Sequence, residues 1–225
     1  MSARASVIAS IRRSLGVTGA EATRRRAVTD RLAGHPPGVV PARGQGGAEA
    51  QLALFIRMAK ASSASVEQVS DIADIPAAIV AFLRQHNLPM SVRRGDDPLL
   101  AGLPWESAGA LDVTTGPSDG HQLASVSHAF AAVAETGTLV LISGRNNPTT
   151  LNFLPDNHVV VVEAGDLVGD YESVWRRLRE AFGTGVLPRT VNMITGPSRS
   201  ADIEQTLLLG AHGPRRLHVL VVGRN

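Results

Sequence analysis

"HVVVVEAGDLVGDYESVWRRLREAF", His158–Phe182, sets four consecutive valines before a turn rich in Gly and Asp, and follows them with Val174, Leu178 and Phe182 at helical spacing. A short, unbroken apolar run is the pattern of a strand buried on both faces, and apolar residues at that spacing form a helix face. The stretch therefore reads strand, turn, helix, the repeating unit of a parallel α/β sheet. Three more apolar runs, "GTLVLIS" (137–143), "RTVNMIT" (189–195) and "LHVLVVG" (217–223), are bounded by Gly, Asn, Asp or Pro and read as strands. Helices are expected over about 121–134, and from the serines after Pro197 until Gly210.

Upstream, "EAQLALFIRMAKAS" (49–62) puts Leu52, Phe55, Ile56 and Ala59 on one helix side, and "ASVEQVSD" (64–71) reads as a short strand. Asp74 is placed to cap a helix carrying Pro76 in its first turn and running to about Gln85, with strands at "PMSVRRG" (89–95) and "ALDVTT" (110–115). The fold class is α/β, a mostly parallel sheet with helices on both faces. Residues 1–47 read as an N-terminal helix and a Pro/Gly-rich linker, and 48–225 as the α/β domain. The linker is drawn from Arg24 to Gly47, where Pro-Pro, a third Pro and several Gly interrupt regular structure. In the first helix Val7, Ile8, Ile11 and Leu15 form a stripe opposite Arg12 and Arg13, which predicts packing on this domain or on a second copy.

The 225 residues are 44% hydrophobic, and 22 Lys+Arg face 20 Asp+Glu, so no broad basic surface for nucleic acid is expected. Lys60 is the single lysine. There is no cysteine, which removes disulfides, thiolate nucleophiles and thiolate ligation of zinc or iron–sulfur clusters by this chain. The apolar runs fall short of a membrane span, and a cytoplasmic protein is expected. His121, His128, His158, His212 and His218 form no helical His pair with an acid, and no metal site is expected.

Ligands of open α/β sheets sit outside the carboxyl ends of the strands. "TTGPSDGHQ" (114–122) reads as a loop and helix cap. "ITGPSRSADIE" (194–204) reads equally as plain capping or as an anion site built on Arg199 and backbone N–H groups, with Asp202 and Glu204 opposing a second negative charge. "AETGTLVL" (134–141) places Glu135 before a Gly-Thr turn. Position alone makes it a surface acid joining a helix to a strand, whereas a connection tucked beneath a neighbour would make it a base or nucleophile.

Together, "AETGTLVL", "LNFLPDNHVVVVEA" and "TGPSRSADIEQTLLLGAHGPRRLHVLVV", spanning about Thr114 to Val222, resemble the lactate utilization protein C family, which carries the LUD domain. "RLAGHPPGVVPARGQ" extends the likeness, and Ser200 stands where many relatives carry Thr. The resemblance implies a fold related to ribose-5-phosphate isomerase, coenzyme A transferases and formyltetrahydrofolate cyclo-ligase. It further implies a role in L-lactate oxidation to pyruvate with iron–sulfur partner proteins, which would hold the clusters. It marks Glu135 as the catalytic candidate and Thr136, Gly137, Thr138, Thr195, Gly196, Ser198 and Arg199 as candidate contacts to a small carboxylate or other anion. The alternatives are a free-standing enzyme acting on a phosphorylated or acyl substrate through Glu135, and a non-catalytic scaffold or regulator.

Overall fold

The computed structural model describes residues 2–200, 208–210 and 212–223. The chain divides into two compact units, Met1–Val39 and Val40–Asn225. The first holds α1 (Ala3–Leu15) and α2 (Ala22–Gly34). α1 starts on the Ser2 hydroxyl, which accepts from the Ala5 N–H, and stops at Gly16 in the left-handed region. Neither helix has a buried residue, and Val7, Ile11 and Leu15 are exposed. α2 replaces the first part of the expected linker, because "RRRAVTDRLA" contains no breaker and the Pro/Gly interruption begins only at Gly34.

The second unit runs α3 (Ala48–Ala61), β1 (Ser65–Val69), α4 (Ile75–Gln85), β2 (Ser91–Arg94), α5 (Pro98–Ala101), β3 (Asp112–Thr115), β4 (Ala124–His128), β5 (Ala131–Val133) and β6 (Thr138–Ile142). It continues with β7 (Asn157–Glu163), β8 (Leu167–Val168), α6 (Tyr171–Phe182), β9 (Val191–Ile194), β10 (Arg199–Ser200), β11 (Leu208–Leu209) and β12 (Arg216–Val222). Six strands form a parallel sheet in the order β1-β12-β7-β4-β2-β3. A second sheet, β8-β5-β6-β9, is antiparallel except between β5 and β8.

Alternation along β7 explains its valine run. Val160 and Val162 join Val219, Val221, Phe55, Leu139 and Leu141 on one face, where α3 and the second sheet pack. Val159 and Val161 join Leu220, Ile75, Ile79 and Phe82 of α4 on the other. Val174 and Leu178 of α6 cover the far side of the second sheet, against Val133 and Val140. Burying a side chain such as Leu178 completely contributes about 1.5–3 kcal/mol.

Three expectations are corrected. Residues 121–134 form β4 and β5 and no helix, so "TTGPSDGHQ" caps none. β4 is buried between β2 and β7, and its Ser125 and Ser127 hydroxyls donate to Leu151 O and Asn152 Oδ1 across a closely packed turn. This packing overrides the helical preference of an Ala-rich segment. "GTLVLIS" and "RTVNMIT" are strands, but they pair with each other in the second sheet. The helix expected before Gly210 is contradicted at its ends, where Arg199–Ser200 pairs antiparallel with Leu208–Leu209. Asp202 and Glu204 lie outside the described residues.

Candidate functional site

With 121–134 extended, Glu135 lies in the turn of the β5–β6 hairpin and not in a helix-to-strand connection. The Gly137 N–H closes the turn on Val133 O at 2.9 Å, and Gly137 has φ 68°. A Cβ there would stand 2.3 Å from Ala59 N, so the turn lies directly on the C-terminal part of α3. Glu135 is only 4% exposed, which removes the surface-acid reading. Its N–H donates to Gly169 O at 3.2 Å, and its Oε2 is buried with no hydrogen-bond partner among the described residues.

The antiparallel pairing of Leu139 with Ile194 sets Thr138 opposite Thr195, and their hydroxyls lie 2.6 Å apart. Thr138 Oγ1 is also 2.7 Å from Thr136 Oγ1 and 2.8 Å from the Tyr171 hydroxyl, which receives a further bond from Thr136 at 3.1 Å. Three hydroxyls, of Thr136, Thr195 and Tyr171, thus converge on that of Thr138. Tyr171 begins α6, where Asp170 caps by accepting from Ser173 N. Tyr171 had no sequence signal beyond its place at a helix start.

Gly196, with φ 74°, approaches α3 as closely as Gly137 does, since a Cβ there would stand 2.1 Å from Ser62 O. Arg199 Nη2 donates to the same Ser62 carbonyl and, at 2.7 Å, to Ser63 Oγ. The Ser198 N–H donates to Pro214 O at 2.9 Å. Ser62–Ser63 precedes β1 and Pro214 precedes β12, so "TGPSR" lies along the amino ends of the parallel strands, opposite the end where ligands of such sheets usually sit.

Of the expected site residues, Thr136, Thr138 and Thr195 meet in the hydroxyl cluster, and Gly137 and Gly196 share the end of α3. Ser198 instead lines a cavity of about 220 Å³ with Asn152, Phe153, His158, Gly196 and His212. His158 is wholly buried, and burial pushes its pKa down to about 3. Its Nε2 lies 2.9 Å from Ser127 Oγ, whose proton goes to Asn152 Oδ1, so the Nε2 proton points to Ser127 and Nδ1 keeps a bare lone pair.

At the opposite, carboxyl ends of the strands, β4 finishes in His128 and β7 in Glu163. His128 Nδ1 is 3.1 Å from Asp97 Oδ1, and its Nε2 is buried without a partner among the described residues. Burial would lower the His128 pKa, but the bond to Asp97, the charge of Asp97 and those of Glu163 and Asp166 outweigh it and hold it above its ordinary value. Asp97 is held below the usual range: burial opposes this, while His128 and the N–H groups of Leu100 and Leu99 prevail. One ligand atom each from His128, Glu163 and Asp166 lies within 4.8 Å of the others, a spacing open to a metal ion, although Arg177 already pairs with Asp166 at 2.5 Å. No i, i+4 spacing announces this group, since its members come from separate strands and loops.

The architecture defines an α/β protein in which a small antiparallel sheet seals one face of a parallel one and carries a buried acid and a cluster of hydroxyls. Residues 120–222 match the LUD domain. It is 37% identical over 107 residues to a lactate utilization protein C of Geobacillus thermodenitrificans, covering 46% of this chain and 45% of that one. It is 38% identical over 98 residues to one of Halalkalibacterium halodurans, covering 43% of each. The chain thus spans somewhat under half the length of these relatives. A crystal structure of a DUF162 family protein from Deinococcus radiodurans covers 79% of this chain and 99% of its own, at 26% identity and a TM-score of 0.56. Among the described residues no helix is long and apolar enough to cross a membrane.

Proposed function

We propose that the chain is a lactate-utilization subunit that holds a small carboxylate during L-lactate oxidation to pyruvate, together with iron–sulfur proteins. The observation that carries this reading is the meeting of "ETGT" and "TGPSR" at the Thr138–Thr195 contact, in the turn that also holds the unpartnered Glu135 Oε2. Oxidation removes two electrons and two protons from the lactate C2–H and hydroxyl. With no cysteine, this chain offers no thiolate for a cluster, so the two electrons and the C2 proton would pass to the partner proteins. Glu135 takes the hydroxyl proton, while the hydroxyls of Thr136, Thr138 and Thr195 supply donors for the carboxylate.

The test is lactate oxidation by the complex of this chain with its iron–sulfur partners. Glu135→Gln keeps the shape of the side chain and removes its charge. A loss of about a hundredfold or more in kcat with an unchanged melting temperature is expected. Unchanged turnover per folded molecule would refute a proton-transfer role. The buried, unpartnered carboxylate oxygen also favours a second reading, in which Glu135 acts on an acyl or phosphorylated substrate without redox partners. Turnover of such a substrate by the chain alone would select it.

A further inference from the structure

A second cavity, of about 520 Å³, opens at the amino ends of β1 and β12, on the other side of Pro197 and Leu217 from the first. Ser65, Phe82, His86, Arg215, Arg216 and His218 contribute to its wall, and no carboxylate is among its described lining residues. Arg216 Nη1 donates to Asn157 Oδ1 at 3.2 Å, and the stem of Arg215 is set by Gly210, where a Cβ would stand 2.0 Å from Arg215 Cγ. His218 stacks on Phe82 with ring centres 4.6 Å apart, and His86 meets the same ring edge-on at 4.7 Å. His218 is 6% exposed; its Nδ1 is 2.8 Å from Ser65 Oγ and its Nε2 is buried with no hydrogen-bond partner among the described residues. Glu67, outside this wall and half-exposed, comes to 3.7 Å from that nitrogen.

We infer that this cavity is an anion site for a ligand of the phosphate class, with Arg215 and Arg216 as its charged donors and His86, His218 and Ser65 as its polar wall. Two guanidiniums in one wall suit a dianion better than a monocarboxylate, and a cavity more than twice the volume of its neighbour leaves room for the rest of an ester. The empty site resists further positive charge. Burial and then Arg216 depress His86, and burial and then His86 push His218 down to about 4. A bound dianion reverses that field and lets either imidazole take a proton, with Glu67 flanking His218 from outside. The inference is independent of the lactate reading, because it uses neither Glu135 nor the hydroxyl cluster.

The test is calorimetry and histidine-resolved NMR on the full chain near pH 7, titrating inorganic phosphate and glycerol 3-phosphate at constant ionic strength against chloride. Saturable binding is expected, with the His86 and His218 ring resonances moving toward their protonated positions and no response to chloride. Arg215→Gln with Arg216→Gln should weaken binding about tenfold or more, and Arg215→Gln alone, at an exposed position, by about half that factor on a logarithmic scale. Tighter binding of glycerol 3-phosphate assigns the site to an ester, and equal binding to the free ion. No saturable binding, binding that survives Arg215→Gln unchanged, or binding that leaves both histidine resonances still would overturn the proposal.

Discussion

Among the described residues, Arg199, Arg215, Arg216 and the histidines His86, His158, His212 and His218 lie at the amino ends of the parallel strands, and Asp97, Glu163, Asp166 and His128 at the carboxyl ends. The two ends treat the same side chain in opposite ways. His158 and His218, enclosed at the amino end without a carboxylate bonded to the ring, are held neutral down to about 3 and about 4. His128, partly buried, is held above its ordinary value because Asp97 touches its ring and Glu163 and Asp166 stand close by. Burial acts in the same direction on all three, and the neighbouring charge decides which state survives. "ETGT" and "TGPSR" lie at the amino end, whereas the usual crevice of such a sheet is at the carboxyl end. The lactate reading and the anion site both belong to the former.

The largest expected effect comes from Gly196→Ala. The new Cβ meets Ser62 O at 2.1 Å in a backbone conformation that L side chains avoid, so "TGPSR" must lift off the end of α3. A loss of about 3 kcal/mol or more is expected, read by chemical denaturation. Titration of His128 in the surviving folded fraction should be unaltered, and a shift there would mean that the two ends are coupled.

Next is the response to acid. In the unfolded chain His158 and His218 take protons near 6.5, but in the folded chain only near 3 and 4, so stability falls as pH drops below about 6.5 and levels off once each folded value is passed. Each histidine contributes up to about 1.4 kcal/mol per pH unit within its window. Denaturation midpoints between pH 7 and pH 4.5 measure the slope, and His158→Asn should flatten it. A slope indifferent to that substitution would assign the acid response elsewhere.

Smallest is Asp97→Asn. His128, whose folded value is raised, adds stability that is complete below its unfolded value and disappears as pH climbs through its folded one. Asp97, whose folded value is lowered, adds stability that is complete above its unfolded value and disappears as pH drops through its folded one. Removing the acid should bring the His128 pKa down and cost about 1 kcal/mol near pH 6, and less at pH 9, where His128 is neutral and the bonds of the Asp97 carboxylate to the Leu99 and Leu100 N–H groups are what is lost. An unmoved His128 titration would transfer its support to Glu163 and Asp166.

The elements whose hydrophobic period is long and uninterrupted were legible in the sequence: β7 and α6, β12, and α4 with Pro76 in its first turn. β4 and β5 were not, because Ala and Ser have no strong strand preference and only burial between two neighbours makes them extended. Sheet membership was hidden as well, since a run such as "GTLVLIS" is apolar whether it joins the parallel sheet or lies across its face. The meeting of "ETGT" with "TGPSR" followed from family resemblance and not from spacing. The intimacy of both segments with α3 had a signal in Gly137 and Gly196, but a glycine does not name the backbone it admits. The Asp97–His128 pair was not announced, because nothing in the order of residues links Asp97 to a strand end 31 positions later.

The placement of β12 between β1 and β7 has a consequence in time. β1 pairs in the parallel sheet with β12 alone, and Ser65 finds His218 across 153 positions of chain. During synthesis β1 and α3 therefore wait through nearly the whole second unit before their sheet can close, with the edge of β7 meanwhile open to any other extended segment. Such long-range parallel pairing is slow to form and prone to association while incomplete. Yield in a cell should depend on temperature and chaperone supply more than the stability of the finished molecule would suggest.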